Sequence, residues 1–270
     1  MERPGWAPAE VDIDQPAASR IYDFFLGGAH NFAVDREVAA RAVAHMPELP
    51  RVLRQGRSLL RRMVRFLAAE AGIRQFLDLG SGIPTVGNVH EIAQRIDPIC
   101  RVAYVDIDPV AVAHSRAILR GNRYATAVQG DVRRPLCILA QPQVRALLAL
   151  DRPIAVLLIA VLHFLPDADD PAGIVGQLRR AVAPGSYVAI AHSSDEGTPP
   201  QGMDRARQVY ARSDNEIITR SKAQIEALFS SWDLVPPGVV RAPLWRPDPG
   251  EQPPSDAAAF PGFAGVAHTS

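Results

Sequence analysis

The sequence predicts an α/β fold, a mostly parallel sheet with helices on both faces, preceded by a helical cap. Two observations carry this prediction. Between residues 73 and 195, short runs rich in Val, Ile and Leu alternate with helical stretches, the pattern of strand–helix–strand crossovers. Before residue 73 the apolar residues recur only at helical spacing, so no strand is expected there.

Taken in order, residues 1–16 carry three prolines without period and read as a loose lead-in. A first helix runs from about Ala17 to Leu26 and is stopped by Gly27-Gly28, which tolerate a left-handed cap. A second starts near Asn31, read as its N-cap, and fades at Met46-Pro47. The third, "RVLRQGRSLLRRMVRFLAAEAG", sets Val52, Leu59, Leu60, Met63, Phe66 and Leu67 on one face with arginines opposite, and Gly72 ends it. Then "IRQFLDLG", "RVAYVDID", "ATAVQGD", "IAVLLIA" and "SYVAIAHS" read as strands, separated by helices over 84–96, 109–121, 136–150 and 170–183. The last third offers a helix in "SKAQIEALFSSW", an edge segment in "DLVPPGVV" and a closing hairpin strand in "FAGVAHT". Residues 17–72 thus form a helical lid on a core over 73–270, the two making one globular unit.

Lysine plus arginine equals aspartate plus glutamate at 29 each, which provides no basic field for nucleic acid or a membrane and points to a small or neutral partner. Lys222 is the sole lysine, a bias that fits a GC-rich bacterial genome. Cys100 and Cys137 have no metal-ligand spacing and are expected as buried thiols in a reduced, cytoplasmic protein. The longest apolar run, 154–165, is shorter than the ~20 residues of a membrane span, and no signal peptide is read at the start. His30, His45, His90 and His114 stand singly, so no metal is expected; "DADDP" at 167–171 reads as a helix start.

The strongest local signal is "FLDLGSGIPT": a strand, an acid, Gly80-Ser81-Gly82, then a helix with Pro84 at its first position. Glycines there let a ligand approach the backbone, and free amides at the helix start favour a negative group. A dinucleotide fingerprint would need glycine where Thr85 stands, which disfavours a nicotinamide cofactor. Asp106 ends the second strand, 24 residues beyond Gly82, where a carboxylate can accept from two ribose hydroxyls. Asp108 is expected to cap the next helix. Asp131 ends the third strand, placed to accept from an adenine amino group while Ile107 or Val132 packs on the ring. Each acid alone could be a simple cap. Together with the glycines they converge at the carboxyl ends of neighbouring strands, where open parallel sheets bind ligands.

With Asp78, Gly80, Gly82, Asp106 and Asp131 in these positions, the sequence resembles the class I S-adenosylmethionine-dependent methyltransferases over about residues 73–195. It departs from their pattern at the last glycine, which is Pro84. A narrower resemblance spans almost the whole chain, through "RIYDFFLGGAHNFAVDRE", "VLHFLPDADDPAGIV", "VAPGSYVAIAH" and "PPGVVRAPLWRPD". It is to a bacterial S-adenosyl methyltransferase family with an N-terminal YDxxLGGxxNF segment. The resemblance implies a Rossmann-like, seven-stranded sheet and S-adenosyl-L-methionine as cofactor. It implies methyl transfer to an unidentified small molecule; a non-catalytic S-adenosylmethionine-binding protein is the alternative.

For the chemistry, His163 lies just past the fourth strand, where an imidazole could take a proton near neutral pH, although a histidine that only hydrogen-bonds loop backbone is the favoured alternative; His192 is a weaker candidate. The lid is expected to fold over the crevice, with Tyr22 and Asn31 reaching the cofactor, and Asp23 or His30 also in range of its amino-acid end. Phe24 and Phe25 are read as packing residues.

Overall fold

The computed structural model describes residues 12–84, 87–197 and 217–270. Its sheet contains β1 (Gln75–Leu79), β2 (Arg101–Asp106), β3 (Ala125–Gln129), β4 (Ala155–Ile159), β5 (Tyr187–Ser193), β6 (Asp233–Leu234), β7 (Val240–Arg241) and β8 (Gly262–His268). The strand order is β3-β2-β1-β4-β5-β8-β6, with the two-residue β7 pairing with β8 off that path. The first five strands run parallel, and β8 runs antiparallel to β5, β6 and β7. The expected mostly parallel sheet is thus present, and the two short strands bring it to eight.

Alternate residues feed opposite faces, as the pleat requires. Phe76, Val102 and Tyr104 join one buried cluster with α3 (Leu49–Arg65), α4 (Val89–Ile96) and part of α5 (Pro109–Ile118). Leu77, Ala103 and Val105 join the other, with α6 (Pro135–Leu139), α7 (Pro142–Leu147), α8 (Pro171–Ala181) and α9 (Lys222–Ala227). Here α9 denotes the helix that follows residue 217.

Several elements differ from the sequence reading. The helix expected over 136–150 is two, because Gln141 before Pro142 is extended, as a residue preceding proline prefers. The helix after β1 begins at Val89, not Pro84; Glu91 Oε2 accepts from the amides of Gly87 and Asn88 at 3.0 and 3.1 Å. Those amides are therefore spent within the chain and do not offer the free anion site expected there. The strand "FAGVAHT" pairs antiparallel with the two short strands of the "DLVPPGVV" segment, as the closing hairpin expected, and it lies between β5 and the edge strand β6. Cys100 is buried as expected, whereas Cys137, on the outer side of α6, is exposed.

The N-terminal helices α1 (Ala18–Phe25) and α2 (Ala33–His45) form a hairpin held by buried carboxylates. Asp35 accepts from the amides of Ala17 and Phe32 and from Arg20 Nε at 2.8 Å, and Arg20 and Asp35 are both buried. Gly27 stops α1 at φ +79°. Gly28 is required for a different reason: a Cβ there would lie 2.0 Å from Asp23 Oδ1.

α3 is the longest helix described and its buried face belongs to the sheet core rather than to a detached cap. Arg62, expected on the solvent side, is buried and donates to the carbonyls of Trp245 and Ala242 at 3.0 and 2.9 Å. Among the described residues no helix is long and apolar enough to cross a membrane.

Candidate active site

At the carboxyl ends of β1, β2 and β4, the chain leaves the sheet in turns that only particular residues permit. After β1, Gly80 and Gly82 adopt φ of +70° and +61°. A Cβ on Gly80 would meet Val161 Cγ2 at 2.3 Å, so glycine is set by a close approach as well as by the backbone. The amides of Gly80 and Ser81 both donate to Val105 O, which ties this turn to β2. After β4, Ala160 sits at φ +59°, a strained setting for a residue with a Cβ.

These turns surround a cavity of about 880 Å³, near the upper end of small-molecule sites. Asp78, Gly80, Ser81, Gly82, Asp106, Ile107, Asp131, Val132, Tyr22 and His163 all line it, so ten of the sequence-predicted site residues converge.

Asp106 receives the Gly82 amide on Oδ2 at 2.7 Å and the Asp108 amide on Oδ1 at 2.9 Å. Each oxygen keeps a second lone pair for a ligand donor. Burial raises its pKa. Ile107, beside it, is 58% exposed although apolar, an uncovered surface at the cavity wall suited to a flat ring. Asp108 caps α5 by accepting from Val110 N, as expected, and its other oxygen accepts from Ser19 Oγ of α1 at 2.8 Å. Asp131 is held by Arg133, whose Nε lies 2.9 Å from both carboxylate oxygens, and this partner lowers its pKa.

Asp78 lies at the last-but-one position of β1, opposite Tyr104 and Leu157. Burial pushes its pKa up to about 7, with Arg57 opposing and Asp106 adding to the rise. Tyr22 is in the cavity wall as expected, with the Arg57 guanidinium 5.6 Å from its ring centroid; burial raises its pKa.

Asn31 is not in the wall. Its amide donates to Asp23 Oδ2 and Gly28 O at 2.9 Å each, and Arg36 donates to its oxygen at 3.0 Å. Nor does it cap α2: Asp35, three residues into the turn, receives the Phe32 amide instead. Asn31, expected to reach the cofactor, thus lies outside the cavity lining, with both of its amide hydrogens donated within the turn that follows α1. Asp23 is likewise fully buried and takes the His30 amide.

His163 lines the cavity as expected. Burial, together with the charge of His192 and Arg220, drives its pKa down to about 3, so the imidazole stays uncharged at neutral pH. Its Nδ1 lies 3.2 Å from Ser193 Oγ. His192 is fully engaged: Arg220 donates to Nε2 at 2.7 Å, which leaves the proton on Nδ1 to be donated to Ser193 O. Arg220 also donates to the carbonyls of Leu162 and Leu165 and pairs with Asp167, so one buried side chain fixes the whole 162–167 turn. Sequence reasoning missed Arg220, since a lone arginine before a helix gives no local signal. It also missed Arg57, read as one of the outward arginines of α3. Thr85 lies outside the described residues.

Among the described residues no group of three or more His, Cys, Asp or Glu is arranged to hold a metal.

Comparison with known proteins gives the family and the fold. A family profile described as S-adenosyl methyltransferase matches residues 4–270. A crystal structure of a protein from Thermobifida fusca YX, designated a methyltransferase by inference, is 40% identical and superposes with a TM-score of 0.91, covering 99% of this chain and 100% of that one. A DUF574 family protein from Streptomyces avermitilis MA-4680 is 36% identical with a TM-score of 0.90, covering 96% and 100%. Human N-acetylserotonin methyltransferase, solved in complex with S-adenosylmethionine, shares the fold at 16% identity and a TM-score of 0.50, covering 92% of this chain and 62% of that one. Among curated proteins none matches.

Proposed function

The chain belongs to the S-adenosyl methyltransferase family, and from that premise we propose that its cavity binds S-adenosyl-L-methionine and methylates a small molecule. The observation that carries this reading is the pairing of Asp106, its carboxylate beside the Gly82 amide, with the uncovered Ile107 on the same wall. A hydroxyl-accepting carboxylate next to an exposed apolar surface fits a nucleoside. When bound, the cofactor supplies a methyl group on a positively charged sulfur, open to in-line displacement.

The chain's own contribution is then to bind and orient. Asp106 accepts from the ribose, Asp131 and Val132 with Ile107 receive the adenine, and the Gly80-Ser81-Gly82 turn lets the ligand approach the backbone. Asp78 and Tyr22 also line the cavity. His163, neutral and tied to Ser193, serves as a hydrogen-bonding partner rather than as a proton store. Acceptors whose nucleophile is already free of its proton, or sheds it to water, suit such a site best. The volume of the cavity suits donor and acceptor together, without nucleic acid or membrane as partner.

Thermal melting with S-adenosylmethionine, S-adenosylhomocysteine and NAD tests this reading. A ligand at 100 times its dissociation constant adds about 2.7 kcal/mol of stability. Upward shifts with the two sulfur nucleosides are expected, and a shift with NAD alone would overturn the proposal. Labelled methyl donor offered with a metabolite extract then identifies the acceptor.

A further inference from the structure

One face of α3 forms a wall of the cavity. Leu49, Leu53, Gly56, Arg57 and Leu60 recur at helical spacing along it, and all line the space. Arg57 is the only charged side chain on that face, and its surroundings are unusual for an arginine. Its Nε is buried and has no hydrogen-bond partner. No carboxylate among the described residues forms an ion pair with it, whereas buried Arg20 pairs with Asp35, buried Arg220 with Asp167, and buried Arg62 donates to two carbonyls. Asp78 is close enough to feel its charge but stays out of contact. A guanidinium with an unused buried donor, set in an apolar wall, lacks an anion, and its fork geometry is matched by a carboxylate.

We propose that Arg57 is the carboxylate-binding residue of this cavity. Two ligands could bring that carboxylate: the amino-acid end of the methyl donor, or an acidic acceptor with an apolar body. The neighbouring Asp78 favours the first, because a carboxylate acceptor next to a guanidinium donor matches an ammonium and a carboxylate on one carbon. This assignment rests on the proposed function, and the Tyr22 ring beside the guanidinium helps to hold Arg57 in place.

The test compares wild type, Arg57→Met and Arg57→Lys by calorimetry, after melting curves establish that each variant is folded. The probes are S-adenosylhomocysteine, 5′-methylthioadenosine, which has the same nucleoside and thioether but no amino-acid end, and benzoate. A loss of about ten- to a hundredfold for S-adenosylhomocysteine in Arg57→Met, with methylthioadenosine unchanged and partial recovery in Arg57→Lys, supports the donor as source. Unchanged S-adenosylhomocysteine with loss of benzoate binding supports an acidic acceptor. Equal losses for both nucleosides, or no loss with any probe, overturns the assignment. If wild type binds neither nucleoside, the methyltransferase reading itself fails, a result distinct from any of these.

Discussion

Asp78 shows how burial shapes this site at the scale of single residues. Its pKa of about 7, against 3.8 for the free carboxyl, means that the folded chain holds this proton over a range in which the unfolded chain has released it. The sign follows from linkage: this group's contribution favours folding most below about pH 4, declines as pH rises towards about 7, and is constant beyond. Asp78→Asn is therefore expected to flatten that part of the profile and to be relatively more stable at pH 8 than at pH 4, as urea titrations at the two values would read. An identical pH profile in the variant would mean that Asp78 titrates normally. The strand-end acids were legible in the sequence because strand boundaries fix where such residues emerge. Arg57 and Arg62 were not, because periodicity sorts residues by polarity, and a long arginine on the flank of an apolar stripe can turn inward with its stem buried. Nor could spacing reveal that burial, with Arg220 alongside, lowers the pKa of both His163 and His192.

Among the elements, the α1–α2 hairpin carries the YDxxLGGxxNF pattern, and its polar residues turn out to work on one another. Asp23 and Asp35 accept from backbone amides of the turn, Asn31 donates to the Asp23 carboxylate and the Gly28 carbonyl, and Tyr22 lines the cavity where Asn31 does not. The sequence pattern marked the segment as special, yet hydrogen-bond partners within a loop depend on its path, which residue types do not disclose. Gly28→Ala tests this account, since the added methyl would collide with the Asp23 carboxylate. A destabilisation of about 1 to 3 kcal/mol is expected by urea denaturation, the usual cost of overpacking. Wild-type stability would show that the loop relaxes freely. The crossover elements were easier to read, because each strand and helix has its own period. The start of α4 was misplaced since Pro84 resembled a first-turn proline, whereas Asn88 and Glu91 set the boundary.

At the scale of the whole molecule, the sheet order could not be read from the linear pattern, because β8 pairs with strands far from it in sequence. Seven residues of β8 pair with β5, and it carries β6 and β7 on its other side. A chain ending at residue 261 should thus lack a cooperative thermal transition by circular dichroism; a sharp melt would show that the first five strands suffice. Both ends of the described chain also reach the cavity, Ser19 and Tyr22 from one side and Phe260 to Phe263 from the other. This has a consequence for the protein's birth on the ribosome, where residues emerge one after another at about 5–20 per second. β3, β2, β1 and β4 can associate while translation continues, but β8, which joins β5 to the short edge strands, is the last of the eight strands to emerge. The nascent chain therefore exposes the open flank of β5 until β8 arrives, and the cavity wall formed by Gly262 and Phe263 is added last.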